Sequence, residues 1–260
     1  MYKYIGIRGH RGAGKQTVSY LLGVAIEYYL NNQSWDGFDE KWSRAVERVK
    51  EDEDFLSESD FKHIYFEGFA DAPRIMLSQM LNIPTEWTYN DWMKDSVMVN
   101  LKDFEIYLCK DKLDVNTWKD KCIEATSMRG VNMYENHIDC WMSLRELIIY
   151  FGFNMQTLFG KDVWVKSLVK NQIDQELFFA SKKIIYKIFV DTKFPTEISY
   201  IYDNGGYIIK VDRPDNKKKE SVVSNALDND FRWDSEITIG NNLSDIKEDI
   251  KSLTIKIIEK

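Results

Sequence analysis

Gly9, Gly14 and Lys15 stand at the spacing of a phosphate-binding loop, G-x-x-x-x-G-K-[ST], except that Gln16 holds the place of the hydroxyl residue. Such a loop works through chemistry that needs these residue types. Consecutive backbone N–H groups face an anion at a helix N-terminus, where the helix dipole also favours negative charge. Glycines let the backbone come close, and Lys15 supplies a mobile positive charge for the outer phosphates. A loop of the form G-x-P-G-x-G-K-G-T moves the hydroxyl one position on. Gly9, Gly12, Gly14, Lys15 and Thr17 fit that spacing, with Arg11 at the proline position and Gln16 at a glycine position. The loop is therefore a variant and not a damaged copy.

Other candidates are fewer. Asp191 follows the apolar run IIYKIFV, the place from which phosphate-loop proteins hold magnesium through a carboxylate; capping the next helix is the alternative. Thr17 faces phosphate or metal, or bonds locally in its own turn. Arg11 reaches the phosphates, or pairs with a surface acid. His10, His63 and His137 form no metal or triad pattern, and Cys109, Cys122 and Cys140 form neither C-x-x-C pairs nor a disulfide framework.

The elements that must position these residues follow from periodicity. Residues 2–8 read as a strand leading into the loop. Val18, Leu21, Leu22, Ala25, Ile26 and Tyr29 then recur at helical spacing. Residues 35–60 read as a charged surface helix with its flanks, 62–69 as a second strand, and the stretch from Asp71 through Leu81 as a helix. Residues 83–140 are irregular but hold Trp87, Trp92 and Trp118, so they are expected to form an ordered, mostly helical insertion whose tryptophans pack in the core or subdomain, with stacking on a base as the alternative. Ser143 and Glu146 make a capping box for the next helix, and a further helix is expected near 162–170. Residues 184–191 read as a strand buried on both faces of a parallel sheet. YIIKVDRP and EITIGNN give two more strands, and Ile246, Ile250 and Leu253 mark a closing helix. The expected fold is a single α/β domain over 1–260, of the three-layer phosphate-loop type with a mostly parallel central sheet and a largely helical insertion at 83–140.

Several fragments, in order, resemble the bacteriophage deoxynucleoside monophosphate kinases. Arg11, Ala13, Gly14, Lys15, Gln16 and Thr17 follow the family's x-R-S-G-K-D-T. FADAPR at 69–74 resembles F-A-D-P-x-K, and SLRELIIYFG with FGKDVWVKSL resembles its helix pair. VDTKFPTE at 190–197 resembles D-x-R-F-x-x-E, and VDRP with the Ser224 region resembles R-P followed by a Ser-Glu loop. Residues 35–60 and 85–140 are not covered. Gln16 lacks the carboxylate that helps arrange magnesium water in the family, and Lys193 puts a point charge where the family has a bidentate Arg.

The resemblance implies an enzyme that moves the γ-phosphoryl of ATP, with Mg2+, onto a deoxynucleoside 5′-monophosphate. It implies ATP contacts at Gly12, Ala13, Gly14, Lys15, Gln16, Thr17, Arg213 and Asn241, with Asn241 and Asn242 near the adenine and Arg213 and Lys217 in a lid. Catalytic roles fall to Lys15, Arg11, Asp191 and Arg145, and metal contacts to Thr17 and Asp191. Asp71, Arg74, Arg145 and Lys193 are expected at the acceptor, because a dianion in a chain of net charge −7 needs dedicated cations. Each of these residues also has a structural reading. A kinase for another acceptor, such as dephospho-coenzyme A, and a non-catalytic nucleotide-binding module are the rivals.

The net charge of −7 disfavours a partner such as polymeric nucleic acid, and Lys217, Lys218 and Lys219 read as a solvated loop. No stretch approaches the roughly 18 apolar residues of a membrane span, nor is there a signal-peptide-like start. A cytoplasmic protein is expected, in the host cell if the origin is a phage, with a homodimer compatible with the family.

Overall fold

The computed structural model describes residues 2–10, 12–51, 56, 61–101, 103–119, 141–168, 184–214, 232–240 and 242–260. Arg11, Lys217, Asn241 and the 120–140 part of the expected insertion lie outside them. The chain divides into two compact units, one made of Met1–Phe69 with Asn171–Lys260 and the other of Ala70–Lys170.

The first unit is built on β1 (Tyr2–Arg8), β2 (Ile64–Glu67), β6 (Ile185–Phe189), β7 (Tyr207–Asp212) and β8 (Ser235–Thr238). They form a five-stranded sheet in the order β2-β6-β1-β7-β8 with every pairing parallel. The strand that carries the loop is central, with Ile5 beside Ile188 on one side and Tyr207 on the other. Alternation along β1 divides its two faces. Ile5 and Ile7 enter a core with Val18, Leu21, Leu22 and Ile26 of α1 (Lys15–Asn32), and Ile250 and Leu253 of α8 (Lys247–Glu259). Gly6 faces the other way, where a Cβ would come within 2.6 Å of Ile201 on α7 (Pro195–Asp203). Burying each such aliphatic side chain contributes roughly 1.5–3 kcal/mol. The expected surface helix is α2 (Phe38–Glu51), which buries Phe38, Trp42, Ala45 and Val46 and exposes most of its charges.

The second unit holds α3 (Asp71–Leu81), a 3₁₀ turn at Thr85–Thr88, α4 (Asp91–Ser96), β3 (Val97–Asn100), β4 (Ile106–Leu108), α5 (Lys112–Lys119), β5 (Trp141–Ser143) and α6 (Leu144–Phe159). Residues 163–168 are helical. The expectation of a mostly helical stretch is completed by an antiparallel sheet in the order β4-β3-β5. Leu77, Leu81, Val97, Val99, Met142, Leu144 and Leu147 make its core, with Trp87 packed against them. Trp118 packs with Trp141 beside Met98, Cys109 and Val115, so two of the three expected tryptophans are packing residues. No described helix is long and apolar enough to cross a membrane.

Candidate active site

β1 ends at Arg8 and the chain turns at once. A Cβ on Gly9 would lie 2.3 Å from the Val211 carbonyl oxygen, so only glycine allows this approach of loop to β7. Gly14 is the N-cap of α1 with φ 89°, a left-handed conformation that a side chain disfavours. Val18 N donates to Gly14 O at 3.0 Å, which starts the helix directly behind the loop. Gly12 and Gln16 are exposed, Ala13 is buried, and Thr17 is half-buried in the first turn. The backbone therefore has the form of an anion cradle at a helix N-terminus.

Lys15 folds over this loop. Its Nζ donates to Gly9 O at 2.8 Å and His10 O at 2.9 Å, and lies 3.4 Å from Asp191 Oδ1, with only 12% of the side chain exposed. Burial holds its pKa below the ordinary lysine value, opposed by the Asp191 charge and reinforced by Lys193. Asp191 lies just past β6, where Thr192 N donates to Ile7 O at 2.9 Å and ties the turn to β1. Its other oxygen lies 2.6 Å from Lys193 Nζ. The sequence leaves Asp191 a second reading as a helix cap. Another residue fills that role: Glu197 Oε2 accepts from Lys193 N at 2.6 Å and Phe194 N at 2.9 Å. Burial pushes the Glu197 carboxyl up to about 7, against the two backbone N–H groups that favour its charge.

Lys193, expected with the acceptor group, is thus a neighbour of Lys15 and Asp191 in the first unit. Arg213 is exposed at the end of β7, with its backbone N donating to Asp212 Oδ1. Asn242 caps the 3₁₀ turn Leu243–Ile246 by accepting from Ser244 N. Arg11, Asn241 and Lys217 are outside the described residues. Oxygen donors suit a hard divalent cation, and Thr17 and Asp191 fit that chemistry. Among the described residues no group of three His, Cys, Asp or Glu is placed to hold a metal.

The second unit gathers the other candidates. Arg74 Nη1 is 3.6 Å from Asp71 Oδ1, and the Tyr89 hydroxyl donates to that same oxygen at 3.0 Å. The Arg74 guanidinium carbon lies 4.8 Å from the centre of the Tyr89 ring. Burial, then the Asp71 charge, raises the Tyr89 pKa, so its phenol stays a neutral donor. Arg145 leaves the first turn of α6 to close on α4: Nε and Nη2 bind the two oxygens of Asp95, and Nη2 also reaches Asp91 Oδ1 at 3.1 Å. Lys94, largely buried, is 2.9 Å from Asp91. Its pKa is lowered by burial, with Arg74 and Arg145 acting in the same direction and Asp91 opposing. Partial burial disfavours the Asp91 carboxylate, but Lys94 and Arg145 outweigh it and hold its pKa near 2.

Sequence reasoning names Asp71, Arg74 and Arg145; with them the structure groups Tyr89, Asp91, Lys94 and Asp95, which that reasoning does not name. These lie in the irregular stretch, where only Asn90, whose side chain accepts from Met93 N, signals a helix start. Glu197 was available as the acidic residue two after Pro195 in a first turn.

Comparison with curated proteins gives no match. A family model described as deoxynucleotide monophosphate kinase matches residues 3–250, spanning the loop, the cationic cluster of the second unit and the start of the closing helix. With a glycine loop, its buried lysine and a separate set of cations inside that span, the chain belongs to the deoxynucleotide monophosphate kinase family.

Proposed function

We propose that the protein transfers the γ-phosphoryl of ATP to a deoxynucleoside 5′-monophosphate, giving ADP and the deoxynucleoside diphosphate. The observation that carries this reading is Lys15, an ammonium stored on loop carbonyls beside Asp191 at the head of α1. In this reading it exchanges those carbonyls for phosphate oxygens. The family match supports the acceptor class.

In this reading the backbone N–H groups of Gly12 to Thr17 bind the ATP phosphates, and Lys15 offsets the charge that shifts as the γ-phosphoryl departs. Thr17 and Asp191 would hold Mg2+, which would supply charge neutralisation for the phosphates. Arg74 and its neighbours grip the acceptor phosphate. An oxygen of that phosphate attacks the γ-phosphorus, the bond to the β–γ bridging oxygen breaks, and ADP leaves with that electron pair. The acceptor's second ionisation lies near pH 6, so its oxygen is already a nucleophile at neutral pH and no general base is required.

The test is coupled ADP release from ATP and Mg2+ with dTMP, dGMP, dCMP and dAMP in turn, beside Lys15→Ala. Turnover with at least one acceptor is expected, falling about a hundredfold or more in the variant. ATP binding without ADP release for any of the four would overturn the proposal in favour of a binding module.

A further inference from the structure

Two arginines of the second unit carry the same charge and are held in opposite ways. Arg145 commits Nε and Nη2 to the carboxylates of Asp95 and Asp91, which fastens α6 to α4. Arg74 meets Tyr89 with its face, close to the Tyr89 hydroxyl, and pairs with Asp71 only at long range. Its guanidinium lies over the Tyr89 ring at 4.8 Å, Nη1 stands beyond hydrogen-bond range of Asp71 at 3.6 Å, and Nε is buried with no hydrogen-bond partner among the described residues. An aromatic face attracts a guanidinium through its quadrupole and uses none of the N–H groups. The Tyr89 hydroxyl meanwhile occupies Asp71 Oδ1, the oxygen nearest Arg74. A buried N–H left without an acceptor is costly, and an anionic oxygen is the group that relieves the cost.

We propose that Tyr89 is a positioning residue that presents Arg74 to the 5′-phosphate of the acceptor, its ring fixing the guanidinium plane and its hydroxyl competing with Arg74 for Asp71 Oδ1. Arg145 instead holds the fold of the site. The inference rests on the acceptor reading above.

Tyr89→Phe keeps the ring and removes the hydroxyl; Tyr89→Leu removes both. Calorimetric titration of the full chain with each of the four deoxynucleoside monophosphates, and with the matching unphosphorylated deoxynucleosides, separates phosphate recognition from base recognition. For whichever monophosphate binds the native protein, Tyr89→Leu is expected to weaken binding about tenfold and Tyr89→Phe about threefold. Deoxynucleoside affinity should stay unchanged, and the acceptor KM should rise while the ATP KM does not.

Monophosphate affinity at the native level in both variants, or equal losses for monophosphate and deoxynucleoside, would overturn the proposal and leave the kinase reading standing. A native protein that binds none of the four would overturn the acceptor reading and the proposal together. Should Tyr89→Leu fail to fold, Tyr89→Phe with Arg74→Lys decides the matter. Arg74→Lys loses the planar fork, and it must reproduce the phosphate-selective loss.

Discussion

Asp191 lies between two ammonium groups, Lys15 at 3.4 Å and Lys193 at 2.6 Å, and the turn that fixes all three is closed by a carboxyl that is itself buried. Glu197 is 5% exposed and its pKa is pushed up to about 7, well above the ordinary carboxylate value. A raised acid pKa in the folded state means that the group's contribution is fully present below the unfolded value and lost as pH rises through the folded one. Stability relative to Glu197→Gln should therefore fall by roughly 2 kcal/mol between pH 5 and pH 8. Urea denaturation of both proteins at several pH values measures it; a difference that stays flat would mean that the two backbone N–H groups keep Glu197 ionised throughout. At this scale the sequence was partly legible. Asp191 could be found because it follows an apolar run, and Lys15 because of its glycines. That Lys193 would pair with Asp191 depends on the turn geometry set by Glu197, which spacing alone does not reveal.

Elements were legible in proportion to their length. α1, α6 and α8 each repeat an apolar face several times, and the Ser143–Glu146 capping box is present at the start of α6. β3, β4 and β5 have four, three and three residues, too few to show an alternation, so an antiparallel sheet was hidden in a stretch that reads as irregular. β6 conceals something different. Its apolar run contains Lys187, 1% exposed, whose Nζ lies 2.8 Å from Glu67 Oε1 on the neighbouring β2 and 4.6 Å from the centre of the Tyr2 ring. Removing one member of a buried pair strands the other, whereas removing both removes the strain as well. Lys187→Met is expected to cost about 3 kcal/mol, and Lys187→Met with Glu67→Leu to recover most of that, as read from chemical denaturation of the single and double variants. A double variant as unstable as the sum of the singles would show that the pair is not coupled.

For the whole molecule, a net charge of −7 makes two local cation sets more informative than either would be on a basic surface. One comprises Lys15 and Lys193 in the first unit. The other comprises Arg74, Lys94 and Arg145 in the second. Under the proposed function each of two phosphate-bearing substrates uses one set, and each set lies within one compact unit. Amide hydrogen exchange reads this directly. A non-hydrolysable ATP analogue alone is expected to slow exchange in residues 9–17 and 190–194, and the monophosphate acceptor alone in residues 71–77 and 89–96. Protection by the monophosphate confined to 9–17 would place both phosphates on the same loop, leave Arg74 and Lys94 without a phosphate, and reduce the second unit's cations to fold-supporting ion pairs.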